Sequence, residues 1–253
     1  PSSSQILSAL AAMAVASVQA AMGPAFSTGP VGANSWIREA TSTLVLPDVP
    51  SGSSGVASLW VGMGTDKGDL IQSIADNWQS DKWSIFAYTL VKTGENSQMP
   101  VQDENPTPAG KGDRITMHCK SHQPIVLKQT NKNKQKVDDS TQEYVQYVSI
   151  NGQQVSTLST SKGHHAMGWG SAVECGAEDC GSIGLTVSLD HLSTYTKANA
   201  FLKWVDTKII LDTPDPNYVQ TLGKGQGVTG DLTTEDGGKT WVASEINIPA
   251  HTF

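Results

Sequence analysis

Two segments of the sequence carry side chains suited to hydrolysing a carbonyl compound. Gln72 lies in the predicted strand Leu70–Ile74, where strand alternation makes it the lone polar group on its face. Glu174 lies in a second predicted strand, Ala172–Cys175. A carboxylate can take a proton from an attacking water and return it to the leaving group, and a side-chain amide can donate to the oxyanion that forms. Since a polar group on an apolar face needs a partner or a cleft, Gln72 is the more informative of the two.

A carbohydrate-active site, catalytic or glycan-binding, is the second hypothesis. Glu174 and Glu178 are candidate paired carboxylates of a glycosidase. Four residues along a strand span about 13 Å, which is too far for the carboxyl pair of either a retaining or an inverting glycosidase unless the chain bends at Gly176. A polysaccharide lyase needs instead a Tyr or His base and a cation that neutralises the sugar acid, and the candidates are Tyr144, Tyr147, His165 and Lys203.

Ligand-type side chains also crowd into one stretch of seventeen positions: His164, His165, Cys175, Glu178, Asp179 and Cys180. Their spacing matches no common zinc or calcium template, so we expect no metal. The sequence has no nucleophile elbow of the G-x-S-x-G type, no P-loop, and no G-x-G-x-x-G motif followed by a helix. We therefore expect no cofactor.

The charge balance bears on the class of partner. The 253 residues include 17 Lys and Arg against 24 Asp and Glu, for a formal net charge of -7. An acidic chain lacks the electrostatic basis for binding a phosphate backbone, so we expect no nucleic-acid partner.

The N-terminus has the pattern of a secretory signal peptide. Ile6–Val18 is an apolar run that ends in small residues suited to signal peptidase, which predicts a signal over residues 1–20 and an extracellular product. The run is too short to span a bilayer, and we expect no membrane partner. Of the three cysteines, Cys175 and Cys180 are close enough to bridge a turn, although sequence alone does not fix the pairing.

Short apolar segments rich in β-branched and aromatic residues, bounded by Gly, Pro, Asn or Asp, dominate the rest of the chain. This pattern predicts about a dozen strands and an all-β, two-sheet antiparallel β-sandwich of the jelly-roll, concanavalin A-like kind. We expect residues 21–253 to form a single domain and the protein to be a monomer. The possible exceptions to strand structure are a helix at Asp190–Ala200, a turn near Asp76–Ser80 and a solvated hairpin tip at Lys128–Lys136. The predicted strands are Ser42–Leu46, Ala57–Met63, Leu70–Ile74, Trp83–Val91, Arg114–Cys119, Ile125–Gln129, Tyr144–Ile150, Val155–Ser159, Ala172–Cys175, Ile183–Leu189, Leu202–Leu211 and Trp241–Ile248.

The order of three motifs resembles the fungal glutamic peptidases, or eqolisins (peptidase family G1). Trp60–Gly64 corresponds to that family's W-V-G-I-D-G signature, and Leu70–Ile74 to its I-L-Q-T-G strand, which makes Gln72 the counterpart of the catalytic glutamine. Asn34-Ser35-Trp36 is similar to the N-W-A-G start of the family domain.

A later match supplies the second catalytic position. Asn151–Thr157 is similar to a family hairpin, and the segment after it, Ala172–Asp179, resembles the A-E-W-I-V-E-D strand, with Glu174 as the counterpart of the catalytic glutamate. The resemblance implies a secreted acid endopeptidase that acts on polypeptides with Gln72 and Glu174, and a substrate site walled by Trp36, Trp60 and Tyr88. The turn Met63–Asp66 differs from the family's I-D-G-D turn, so a catalytically silent relative is the third hypothesis.

Overall fold

The protein is described by a computed structural model that covers residues 21–32, 34–50, 55–78, 80–122, 142–176, 179–184 and 201–253. All strand pairings within these residues are antiparallel. The strands are β1 (Ala21–Thr28), β2 (Ile37–Val45), β3 (Ala57–Thr65), β4 (Leu70–Asp76), β5 (Trp83–Gly94), β6 (Ser97–Gln102), β7 (Thr107–Ala109), β8 (Arg114–His122), β9 (Glu143–Ile150), β10 (Gln153–Thr160), β11 (Ala166–Cys175), β12 (Ser182–Ile183), β13 (Phe201–Leu211), β14 (Gly223–Lys224), β15 (Thr240–Pro249) and β16 (His251–Thr252). A short 3-10 helix spans Tyr218–Thr221.

Fourteen of the sixteen strands in the described residues form two layers, and β12 and β16 pair with each other as a separate two-stranded sheet. The first runs β10-β9-β8-β2-β13-β15, and the second runs β14-β1-β11-β3-β4-β5-β6, with β7 also paired to β5. One backbone rung, Ile37 opposite Ala166, joins β2 to β11 and so connects the layers. The predicted all-β antiparallel sandwich is confirmed.

The hydrophobic core lies between the layers, where β5 packs against β9 and β10. Its largest buried side chains include Trp83, Trp169, Trp204 and Tyr144. Alternation along β3 explains how the second layer has two different faces: Leu59, Val61 and Met63 enter the core, and the residues between them point the other way.

Most predicted strands occupy nearly the positions expected, and the differences lie at their ends. Strand β2 begins five residues before the predicted Ser42, and β11 begins six residues before the predicted Ala172. Strand β1 was not predicted, because Gly23 and Pro24 make the segment resemble a turn. Its pairing with β11 holds it in the second layer.

Several predictions concern segments outside the described residues. The segments are the signal peptide at residues 1–20, the strand Ile125–Gln129, the hairpin tip Lys128–Lys136 and the helix Asp190–Ala200. Strand β4 ends at Asp76, and a turn follows in which the Ser80 backbone N–H donates to the Asn77 carbonyl. None of the described segments forms a helix with the length and apolar character needed to cross a membrane.

Candidate functional site

The side of the second layer turned away from the core carries the candidate site, and we call it the outer face. Its side chains and bare backbone positions come from five neighbouring strands, β1, β11, β3, β4 and β5. Cross-strand pairs point to the same side of a sheet, so the strand register identifies the members. They include Ala25, Ser27, Ser58, Trp60, Gly62, Gln72, Ile74, Asp76, Phe86, Tyr88, Gly170, Ala172 and Glu174.

An aromatic cluster forms the centre of the outer face. Trp60, Ile74 and Phe86 lie on one rung with Ala172, and all four are buried. Tyr88 packs on this cluster, with its ring edge-on to Phe86 at a centroid distance of 6.2 Å. The predicted aromatic residues Trp60 and Tyr88 therefore share a surface with Gln72.

Gln72 lies one rung away from that cluster, between Gly62 on β3 and Tyr88 on β5. The residue is only 6% exposed. Within the described part of the chain, no hydrogen bond joins its side-chain amide to another residue. Its amide atoms are not fully enclosed, so the Gln72 amide is a group available to a ligand.

Glycine at position 62 makes room for that amide. A Cβ added to Gly62 would lie 2.8 Å from the Ile71 carbonyl oxygen and 3.1 Å from the Gln72 Cγ. On the same rung, the residue of β11 opposite Gly62 is Gly170, which also lacks a side chain. The outer face beside Gln72 is thus a floor of bare backbone, which lets a ligand approach closely.

Glu174 lies near the end of β11 and contacts the aromatic cluster directly. Its Oε2 accepts a hydrogen bond of 3.0 Å from Trp60 Nε1. Burial raises the pKa of the Glu174 carboxyl above its usual value, and the Trp60 N–H partly offsets this by favouring the ionised form. A partly buried carboxyl with a raised pKa can exchange a proton near its working pH, as an acid–base group must.

The charge of Glu174 also reaches Tyr88. Burial raises the pKa of the Tyr88 hydroxyl, and the negative charge of Glu174 raises it further. The hydroxyl therefore stays protonated and remains a hydrogen-bond donor facing the same side as Glu174.

The register separates Gln72 from Glu174. Glu174 pairs with Ser58, four residues along β3 from Gly62, the partner of Gln72. The two positions are thus about 13 Å apart along the strands and two strands, or about 10 Å, apart across them. A shared catalytic dyad would need the two side chains within water-bridging distance, and this register does not bring them there, because Trp60 lies on the rung between them.

Asp76 is a functional candidate that the sequence analysis did not identify. It lies on the same rung as Glu174, with Ser58 between them, which separates the two carboxylate-bearing positions by about 10 Å at the backbone. Burial raises the pKa of Asp76, against a weaker lowering by the Trp78 backbone N–H. The sequence signal was available: Asp76 is two residues beyond Ile74 and so continues the alternation of Gln72.

Trp36, expected to line the substrate site beside Trp60, lies elsewhere. It precedes β2 in the first layer and is 6% exposed. Its ring contacts Tyr144 and His165, and the Arg38 guanidinium lies 4.5 Å from its centroid. The structure does not bring Trp36 to the outer face.

The candidate lyase residues are also dispersed. The buried Tyr144 hydroxyl donates to the Ile37 carbonyl and accepts from the Ala166 N–H, and burial raises its pKa well above the usual value. Lys203 forms an ion pair with Glu245 at 2.6 Å. Tyr147 packs beside His118 in the first layer. These contacts do not assemble a base and a charge neutraliser in one cleft.

Cys175 and Cys180 form a disulfide, so they are not thiolate ligands. Cys119 is the free cysteine, and burial raises the pKa of its thiol. Among the described residues, no three His, Cys, Asp or Glu side chains are placed to hold a metal ion. Glu178, the other candidate carboxylate, lies outside the described residues.

Comparisons with known proteins find likenesses among solved structures and none by sequence. No protein-family model and no curated protein matches the sequence. Among solved structures, the chain is similar to a crystal structure of scytalido-glutamic peptidase with a transition state analog inhibitor. The sequence identity is 13% and the TM-score 0.46, with 90% of this chain and 99% of that chain covered. A likeness of this size leaves function to be argued from the side chains of the outer face.

Proposed function

We propose that the protein is a secreted hydrolase of peptide bonds that works at acidic pH on the outer face. Glu174 is the general base and then the general acid, and Gln72 donates a hydrogen bond to a substrate backbone carbonyl away from the bond that is cleaved. One observation carries the proposal: a partly buried carboxyl held by Trp60 shares an apolar face with an unpartnered amide.

The proton chemistry follows from the surroundings of Glu174. In its ionised form the carboxylate accepts a proton from water as that water attacks the peptide carbonyl, and it then returns the proton to the leaving amine. A carboxyl with a raised pKa is the better acid in the second step. The Trp60 N–H orients one carboxylate oxygen and leaves Oε1 for the water.

The separation of Gln72 from Glu174 sets the manner of binding. One water cannot bridge them, so the substrate backbone must lie across the face, with Gln72 holding it away from the position where Glu174 acts. The Tyr88 hydroxyl, protonated and under the field of Glu174, is a second hydrogen-bond donor on this face for the substrate. Trp60 and Tyr88 are the aromatic walls in this arrangement.

The location and partners follow from the same proposal. The Cys175–Cys180 disulfide is compatible with an oxidising compartment, as expected for a secreted chain. The substrate is a polypeptide, and the residues proposed to act need neither metal nor cofactor.

Cleavage of a denatured protein, followed by mass spectrometry of the products, tests this proposal. Glu174→Gln is expected to abolish acid-range cleavage, whereas Glu95→Gln, at an exposed position in the β5–β6 hairpin, is expected to leave it unchanged. Full activity in Glu174→Gln would end the assignment.

One observation favours a second candidate, a glycoside hydrolase. Asp76 and Glu174 share a rung, and both carboxyls have raised pKa values. A backbone separation of about 10 Å is compatible with the roughly 6.5–9.5 Å between the carboxyl groups of inverting enzymes. Reducing-sugar release from a polysaccharide panel, lost in Asp76→Asn, would select this candidate over the peptidase.

A further inference from the structure

A cavity of about 320 Å³ lies at the β1 edge of the second layer. Its walls come from β1, from β14 with the segments on either side of it, and from β16 near the C-terminus. The residues that matter for its shape are Met22, Ala25, Ser27, Leu222, Gly223 and Gly225.

The cavity is continuous with the outer face. Ala25 lines the cavity and also packs on the cluster of Trp60 and Ala172. Ser27 lines it too and pairs with Gly170. Gly170 pairs in turn with Gly62, the partner of Gln72, so bare backbone connects the cavity to the Gln72 amide.

Two features of the chain open this space. The register of β1 against β11 shifts between Met22 and Ala25, and such irregularities bend a strand and often occur beside active sites. On the opposite wall, a Cβ at Gly223 would lie 3.0 Å from Ser27 Oγ, and one at Gly225 would lie 2.9 Å from the Ala25 nitrogen. A side chain at Gly223 would therefore stand beside Ser27 on the cavity lining, and one at Gly225 would meet the backbone of β1.

The lining selects an apolar occupant. Met22, Pro24, Ala25 and Leu222 provide apolar walls, Ser27, Gln226 and His251 add uncharged or weakly basic polar groups, and the lining includes no carboxylate. Lys224, the cation on the lining, is directed away to the Gly230 carbonyl and Asp231. The volume exceeds that of any single side chain, so a Phe or Tyr ring fits without displacing the walls.

We propose that this cavity is a specificity subsite that receives a large apolar side chain of a polypeptide lying across the outer face. The inference rests on the proposed function for its substrate class. It adds that Gly223 and the β1 irregularity determine which residue of the substrate is preferred.

The affinities of two pentapeptides, measured without cleavage, test the subsite. The peptides are acetyl-Ala-Ala-Phe-Ala-Ala-amide and its all-Ala counterpart. Isothermal titration is done with the Glu174→Gln variant, which keeps the cavity and cannot hydrolyse the probe. The Phe peptide is expected to bind at least tenfold more tightly than the Ala peptide, which is a difference of about 1.4 kcal/mol in binding free energy. Adding Gly223→Leu, which fills the cavity, removes that preference.

The matched control is Gly110→Leu in the same background, since a Cβ at Gly110 meets nothing within 4 Å. It is expected to keep the preference for Phe. Equal binding of the two peptides, or a preference that survives Gly223→Leu, would overturn the subsite. Peptide cleavage is measured separately with the protein that carries Glu174. If that protein cleaves nothing while the Phe peptide is still preferred in binding, the proposed function is rejected and the subsite is retained.

Discussion

Replacing Gly62 by alanine tests whether bare backbone is required beside Gln72. The added Cβ would lie 2.8 Å from the Ile71 carbonyl oxygen, which belongs to the paired strand β4 and cannot rotate away. It would also lie 3.1 Å from Gln72 Cγ, so the glutamine side chain must move as well. Overpacking of this kind typically costs about 1–3 kcal/mol.

Urea denaturation measures that cost as a change in the free energy of unfolding. Gly110→Ala is the control, because it adds the same methyl group in open space and is expected to change stability by no more than about 0.5–1 kcal/mol, mainly through the unfolded chain. We expect Gly62→Ala to be at least about 1 kcal/mol less stable than Gly110→Ala. Equal stability of the two variants would show that the β3–β4 pair can separate, and would refute the argument for a fixed Gln72 position.

Three further predictions concern hydrogen bonds and protonation. Trp60→Phe removes the N–H that favours the ionised form of Glu174, so the pKa of that carboxyl should rise, measured by NMR titration; an unchanged or lower pKa contradicts the role of the 3.0 Å bond. The raised pKa of Glu174 in the folded state makes stability depend on pH. As pH rises from the usual carboxyl pKa through the folded value, the free energy of unfolding of the unchanged protein should fall relative to that of Glu174→Gln. A difference in unfolding free energy that does not change with pH would contradict this. Tyr144→Phe removes a buried hydroxyl that bonds at the rung joining the two layers, so thermal and urea unfolding should show a loss of about 1–3 kcal/mol, and no loss would mean that this hydroxyl does not help to join them.

Local patterns predicted the parts of the fold that depend on local chemistry. Alternation identified β4 and placed Gln72 among apolar neighbours on one face. The Asn151-Gly152 turn between β9 and β10 has positive φ at both residues, which is the hairpin geometry that this pair favours.

The features that the sequence did not reveal depend on long-range register. Strand β1 contains Gly23 and Pro24, and it is held in the second layer by β11, far away in sequence. Pairings across the three strands β11, β3 and β4 decide which residue shares a rung with Glu174. That residue is Asp76 and not Gln72. Trp36 belongs to a different layer from Trp60, which no short motif could indicate.

The most direct test of the central claim is the pH profile of protein cleavage. Denatured casein is incubated from about pH 2 to pH 7 with the unchanged protein, Glu174→Gln and Gln72→Ala, and with Gln154→Ala at an exposed position as a control. We predict acid-range cleavage that Glu174→Gln abolishes, that Gln72→Ala lowers by up to about tenfold through the loss of one substrate hydrogen bond, and that Gln154→Ala leaves intact. Cleavage that persists in Glu174→Gln, or no cleavage by the unchanged protein at any pH, would contradict the account.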